Sequence, residues 1–355
     1  MARRQRKKLE GILGWITLFV LLAVIASFLS PLGKRVYYQL GREKGVSGPF
    51  WEIYFTSQTK PELRLVELIH GAKREAHLAY YELDNPDVIT ALLSRNKEIE
   101  IKVITETNNS DSWGVSRLRD AGVPVKTDDR NPLMHNKFAV IDDSLVWTGS
   151  YNLTERGAKL NYDNVIILFS PALARNYEAE FSEMWDGRFG AGSPRNTDCC
   201  FRIDSVEIEN YFAPEDGVRG HLISEISLAR REIRFMVYSF TDKAMAEALI
   251  KKQGEGVAVE GILNRDQIKD ENSVWTKLSE AGVPVYFPKE RTLHHKVMII
   301  DSSVVITGSF NFTKSANTKN DENILIIRSP DIARAYLEEY ERVKEKSGPA
   351  EIAGR

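Results

Sequence analysis

The chain carries His135-Asn136-Lys137, then Asp142, then Gly149-Ser150-Tyr151-Asn152. The same types return at the same spacing as His294-His295-Lys296, Asp301 and Gly308-Ser309-Phe310-Asn311. Residues two apart on a strand face the same side. His135 and Lys137 are therefore expected to point together, as are His294 and Lys296. Ser150 with Asn152, and Ser309 with Asn311, are expected as same-face pairs on the following strand. This combination suits a phosphodiester. Lysine is a compact cation that neutralises phosphate oxygens, and Asn and Ser add neutral donors. Aimed at a pentacoordinate phosphorus, they would stabilise the charge that builds up in the transition state. One histidine can attack phosphorus and hold it covalently. The other can protonate the leaving oxygen and then activate water. Neither role needs a metal, and no cofactor is expected. The candidate catalytic residues are His135, Lys137, Asn152, His294, Lys296 and Asn311.

A lone His-x-Lys arises by chance, but a whole constellation repeated at fixed spacing in two halves does not. Of the six histidines, only His135 and His294 stand in register inside the repeat. His295 is expected to face away from its neighbours, and His70, His77 and His221 are read as structural.

The elements that must position these groups are also repeated. Tyr54-Phe55 returns as Tyr211-Phe212, Ala72 to Glu75 as Ala229 to Glu232, Ala121 to Val125 as Ala281 to Val285, and Ser170-Pro171 as Ser329-Pro330. The offsets run from 157 to 160, which suggests two similar domains related by a pseudo-two-fold. Within a unit, Glu62 to Glu75 reads as helix, Leu78 to Leu83 and Ile99 to Ile104 as strands, and Ser112 to Ala121 as helix. Phe138 to Ile141 and Leu145 to Thr148 read as a hairpin turning at Asp142-Asp143-Ser144. Val165 to Phe169 reads as strand and Pro171 to Met184 as helix. Alternating strands and helices predict an α/β fold with a mixed sheet flanked by helices in each half.

The doubled pattern H-x-K-(x)4-D-(x)6-G-S-x-N resembles the phospholipase D superfamily over residues 50–345, in its compact bacterial form. The resemblance implies a doubled α/β fold with both motifs meeting at the domain interface, a phosphohistidine intermediate and metal independence. In that family a downstream acidic residue, often in a Glu-Asn pair, orients each histidine. Glu322-Asn323 matches this in the second half, while the first half has Asp163-Asn164, a shorter carboxylate. The difference leaves open which histidine is better supported. The family's commoner usage points to His135 as nucleophile and His294 as acid. Asp163, Glu322, Ser150 and Ser309 are expected in supporting roles, and Asp142 and Asp301 as residues that hold the hairpins.

Composition narrows the rest. Hydrophobic residues make up 43% and charged residues 28% of the 355, as in a packed globular protein. The net charge of -2 hides an asymmetry, because five basic groups and one acidic group lie in residues 1–10. The remainder is acidic, which argues against a non-specific nucleic-acid binder, since such binding neutralises phosphates. Ile12 to Leu29 holds 18 residues without a charge, long enough to cross most of a bilayer core. A cleaved leader ending near Val24-Ile25-Ala26 is the minor alternative. The basic cluster predicts a single-pass anchor with its N-terminus in the cytoplasm and the body outside it. Cys199 and Cys200 are adjacent and are expected to be ordinary thiols in a linker, with a vicinal disulfide as the alternative.

The predicted organisation is a basic segment (1–10), an anchor (11–32), a linker (33–48), domain 1 (49–190), a linker (191–203), domain 2 (204–346) and a tail (347–355). The expected activity is hydrolysis of a phosphodiester. A phospholipid substrate ranks first, on the anchor and the acidic body. A membrane-tethered endonuclease acting on DNA or RNA ranks second, a phosphatidyl-transfer (cardiolipin synthase-like) enzyme third, and a binding scaffold with a dead site last. The lipid bilayer is the expected partner of the N-terminal helix.

Overall fold

The computed structural model describes residues 45–350. The described residues belong to one compact unit. The predicted basic segment and anchor, residues 1–32, lie outside the described residues. No helix among the described residues is long and apolar enough to cross a membrane.

The first half contains the strands β1 (Val46–Ser47), β2 (Trp51–Phe55), β3 (Glu75–Tyr80), β4 (Glu100–Thr105), β5 (Val125–Thr127), β6 (Lys137–Ile141), β7 (Leu145–Gly149), β8 (Asn161–Tyr162) and β9 (Asn164–Leu168). The second contains β10 (Cys200–Ile203), β11 (Val206–Ala213), β12 (Glu232–Val237), β13 (Ala258–Leu263), β14 (Val285–Pro288), β15 (Thr292–Leu293), β16 (Lys296–Ile300), β17 (Val304–Gly308), β18 (Glu322–Arg328) and β19 (Ser347–Gly348). One sheet runs β1-β2-β9-β7-β6-β3-β4-β5, and the other β10-β11-β18-β17-β16-β12-β13-β14-β19. The two orders match strand for strand from β2 and from β11. β3, β4 and β5 are parallel, and the other pairings of that sheet are antiparallel. The chain is thus an α/β protein of two similar mixed sheets.

The sequence explains the central strands. Runs such as Val165-Ile166-Ile167-Leu168 are β-branched or aliphatic and buried throughout, as strands covered on both faces require. The long helices Pro171–Trp185 and Pro330–Glu345 start the same way. Ser170 and Ser329 accept a backbone N–H at the third helical residue, and a proline opens each helix, where its missing donor costs nothing. Both helices pack in a core that draws on the two sheets. Tyr177 meets Phe138 of one sheet and Phe212 of the other edge-on, with centroids 5.0 and 5.1 Å away.

Asp142 and Asp143 have φ of 54° and 51°, and Asp301 and Ser302 have 53° and 55°. Two successive positive φ values make the tight hairpin that matches strand twist. The Asp142 carboxylate also accepts the amides of Lys73, Arg74 and Glu75. Asp301 does the same for Arg230, Arg231 and Glu232. Burial acts to raise both carboxyls, but these amides outweigh it and hold both below their ordinary value.

Several boundaries differ from expectation. The first helix ends at Gly71 and not at Glu75, because Glu75 already pairs with Glu100 in the sheet. The following strand ends at Tyr80, short of Leu83. The linker 191–203 contains β10, and the tail begins with β19 on the edge of β14. Cys199 and Cys200 are joined in a disulfide, which overturns the reading of two free thiols.

Candidate active site

Neither histidine lies on the strand expected for it. β6 begins at Lys137 and β16 at Lys296, so His135 and His294 sit just before their strands. Each is strapped to the other half. The His135 amide donates to the Asp321 carbonyl at 3.0 Å, and the His294 amide to the Tyr162 carbonyl at 3.0 Å. The straps continue as the Met134–Asp321 bridge and the short parallel pairing of β15 with β8.

The residue after each strap is a carboxylate, so the carboxylates cross between halves. His135 Nδ1 lies 2.8 Å from Glu322 Oε2, and His294 Nδ1 lies 2.8 Å from Asp163 Oδ1. Ser309 Oγ donates to Glu322 at 2.6 Å, and Ser150 Oγ to Asp163 at 2.6 Å. The expectation that Ser150 shares a face with Asn152, and Ser309 with Asn311, therefore fails. β7 and β17 stop at Gly149 and Gly308, whose φ values are 146° and 152°. A Cβ there would lie 2.3 Å from the Asn164 carbonyl and 2.2 Å from that of Asn323. Only glycine allows this approach, and beyond it the serines turn to the carboxylates while the asparagines line the cleft.

The Asn of each acidic pair crosses too. Thr148 Oγ1 donates to Asn323 at 2.7 Å, and Asn164 donates to Thr307 Oγ1 at 2.7 Å. His295 faces away from the site and is fully buried, with Nδ1 3.4 Å from Asn164 Oδ1. His77 lies outside the cleft, between Glu178 at 2.8 Å and Glu100 at 3.1 Å. His221 stacks on Tyr211 with centroids 3.7 Å apart.

His135, His294, Asn152 and Asn311 line one cavity of about 890 Å³. The two lysines are buried behind it. Lys137 Nζ donates to the carbonyl of His135 at 2.8 Å, and Lys296 Nζ to that of His294 at 2.7 Å. Tyr81 and Tyr238 complete the arrangement. Their rings meet His135 and His294 edge-on at 5.0 and 4.9 Å, and the ammonium groups sit 5.2 and 5.1 Å from the same rings. The sequence reading missed both tyrosines, although they stand 157 residues apart in the register of the repeat.

The electrostatics follow from burial of two cations. Burial lowers Lys137 to about 8. Burial, and then Lys137, push Lys296 well below its ordinary value. His135 is pushed well below its ordinary value by burial and then by both lysines. His294 falls to about 4, because burial outweighs the opposing pull of Asp163. Burial acts to raise Asp163, but His294 and Lys296 hold it below its ordinary value. Glu322 is pushed up to about 8 by burial, against Lys137. His294 thus faces the more firmly ionised carboxylate, since Asp163 is held below its ordinary value and Glu322 above it. An anion between the two lysines would relieve their repulsion and raise both histidines.

The family model described as "Cardiolipin synthase, PLD-like domain" matches residues 65–185 and 222–344, once in each half. Phospholipase D of Rickettsia bellii is 34% identical over 148 residues, which span 41% of this chain and 74% of that protein. The mitochondrial cardiolipin hydrolase of Xenopus laevis is 32% identical over 126 residues, 35% of this chain and 60% of that protein. The crystal structure of phosphatidylserine synthase from Haemophilus influenzae superposes with a TM-score of 0.66 at 12% identity, covering 89% of this chain and 91% of that one, which shows a shared fold. With two matched domains, one motif in each and a single cleft receiving both, the chain belongs to the phospholipase D superfamily and is a phosphodiesterase of that superfamily.

Proposed function

We propose that the protein hydrolyses the phosphodiester of a phospholipid through a covalent phosphohistidine, using groups from both halves and no metal. The observation that carries this reading is the pair of crossed histidine–carboxylate contacts opening into one cavity backed by two buried ammonium groups. His135 Nε2 attacks phosphorus. The leaving oxygen takes a proton from His294 Nε2, whose charge the ionised Asp163 stabilises at 2.8 Å. His294 then removes a proton from water, the resulting oxygen attacks the phosphoryl group, and His135 departs. Lys137, Lys296, Asn152 and Asn311 offset the charge on the phosphoryl oxygens.

The phospholipid assignment is supported by the R. bellii and X. laevis relatives and by the cavity wall. Glu82, Asp84 and Glu155 line that wall against a single arginine, Arg156, which disfavours a polyanionic strand. Attachment through residues 12–29, with the body outside the cytoplasm, belongs to the same proposal. The full chain is to be offered phosphatidylcholine or cardiolipin vesicles, and separately single-stranded DNA or RNA, all in EDTA and beside a His135→Ala control. Release of a headgroup or phosphatidic acid, lost in the control, is the expected result. Cleavage of nucleic acid alone would replace the lipid reading with a tethered nuclease, and loss of activity restored by a divalent ion would overturn the chemistry.

A further inference from the structure

The two halves match around the reacting groups but not at the lip of the cleft. Among the described residues, five large hydrophobic side chains are exposed, and two of them stand at this mouth. Trp113 lines the cavity and is 53% exposed, and Leu160, 57% exposed, immediately precedes the lining residue Asn161. The second half has neither. Lys319 stands at the repeat position of Leu160. By the offset that relates Ala121 to Ala281, Ser273 stands at the repeat position of Trp113, while Trp275 stands at that of the buried Val115 and packs edge-on against Phe287 at 5.8 Å. The second half thus presents a serine and a lysine where the first half exposes Trp113 and Leu160.

Basic groups surround the exposed pair. The Arg117 guanidinium lies over the Trp113 ring at 5.9 Å. Arg156 lines the cavity, and Lys159 shares the short helix Glu155–Leu160, where Glu155 pairs with it at 2.9 Å. On the facing lip, Lys314 and Lys319 are exposed beside the lining residues Thr313 and Asn320. An aromatic–aliphatic tip ringed by Lys and Arg fits a headgroup layer, where the apolar groups enter and the cations meet lipid phosphates. A nucleic-acid strand fits less well. Leu160 offers no face for stacking, and Glu82, Asp84 and Glu155 on the wall below repel a polyanion.

Resting on the phospholipid reading, we propose that the first half's lip, with Trp113 and Leu160 at its tip and Arg117, Arg156 and Lys159 around them, docks on an anionic bilayer surface. The cleft then opens into the headgroup layer, and substrate enters without leaving the membrane. Docking through the body is separate from any attachment by residues 12–29, so sedimentation with vesicles does not test it. Turnover and immersion do.

The full chain and a Trp113→Ser/Leu160→Ser double variant are to be compared on two forms of one lipid. The first is phosphatidylglycerol–phosphatidylcholine vesicles, and the second is a short-chain analogue held as monomers. Leu228→Ser, which removes an equally exposed leucine elsewhere, serves as control. The double variant is expected to lose roughly tenfold more activity on vesicles than on monomers, and the control is not. In parallel, acyl-brominated vesicles are expected to quench wild-type tryptophan fluorescence more than that of Trp113→Phe. Equal losses on both lipid forms, or equal quenching in the two proteins, would overturn the proposal. Selective loss of nucleic-acid cleavage would reassign the lip to a strand. If the wild type cleaves neither lipid form, the phospholipid reading fails, and the quenching comparison still decides whether the lip docks.

Discussion

Asp163→Asn isolates the crossed architecture. The substitution keeps the shape and one acceptor oxygen but removes the charge that faces His294 at 2.8 Å from the other half of the chain. Asp163 also accepts Ser150 Oγ at 2.6 Å, a bond the amide oxygen can retain. What disappears is a buried charge-assisted bond, worth about 1.5–3 kcal/mol. At 1.36 kcal/mol per decade this is a loss of roughly 10- to 150-fold in kcat/KM on an alkyl phosphodiester. If Asp163 acts by stabilising the protonated His294 as acid, the loss shrinks on bis(p-nitrophenyl) phosphate, whose leaving group departs without a proton. The assay is therefore kcat/KM on both esters, with imidazole NMR shifts recorded for each variant. Asp163→Asn should move the His294 resonances and spare those of His135, although His135 is the nearer in sequence. Movement of His135 alone would refute the crossing. An equal loss on both esters would refute the assignment of His294 as the acid.

Three further outcomes follow from other buried or hydrogen-bonded charged groups. Lys137 loses its charge near pH 8, so kcat/KM should fall above about that pH, well below the ordinary lysine range, and Lys137→Arg should move this limb to higher pH. An unmoved limb would assign it to another group. Asp301→Ala leaves three backbone amides without their acceptor and should cost about 1–2 kcal/mol in denaturant unfolding. Because the folded Asp301 carboxyl is depressed, that contribution is present above its ordinary value and is lost as pH falls through the depressed one. The difference from wild type should therefore vanish in acid. His77 runs the other way. Burial acts to lower it, but Glu178 and Glu100 outweigh burial and hold it above its ordinary value. Its contribution is complete below about pH 6.5 and is lost as pH rises through the raised value. Melting temperatures of wild type and His77→Gln between pH 6 and 9 should converge at the alkaline end.

The motif pairs, the repeat and the α/β class were legible because each is written in spacing along the chain. The crossing was not. Asp163 follows Ser150 by the same interval as Glu322 follows Ser309, and spacing alone does not say which histidine each carboxylate meets. That is decided by the straps His135–Asp321 and His294–Tyr162, which form only when the halves pack together. Period-two reasoning failed where the strands stop. His135 precedes β6, and Gly149 turns the chain off β7, so Ser150 reaches Asp163 and only Asn152 reaches the cleft. Tyr81 and Tyr238 were visible in the register of the repeat, but tyrosines near strand ends have so many packing roles that position alone did not single them out. The Cys199–Cys200 disulfide likewise has no spacing that separates it from two adjacent thiols.

The most direct test of the central claim is a rapid-quench experiment on His294→Ala with bis(p-nitrophenyl) phosphate. This ester needs no acid to break, and the variant lacks the base that would activate water. The account predicts one equivalent of p-nitrophenol followed by a stall, with the phosphoryl adduct mapped by mass spectrometry to His135 and absent from His135→Ala. A burst that survives in His135→Ala, an adduct on any other residue, or near-normal turnover in either single variant would contradict a single site built from both halves.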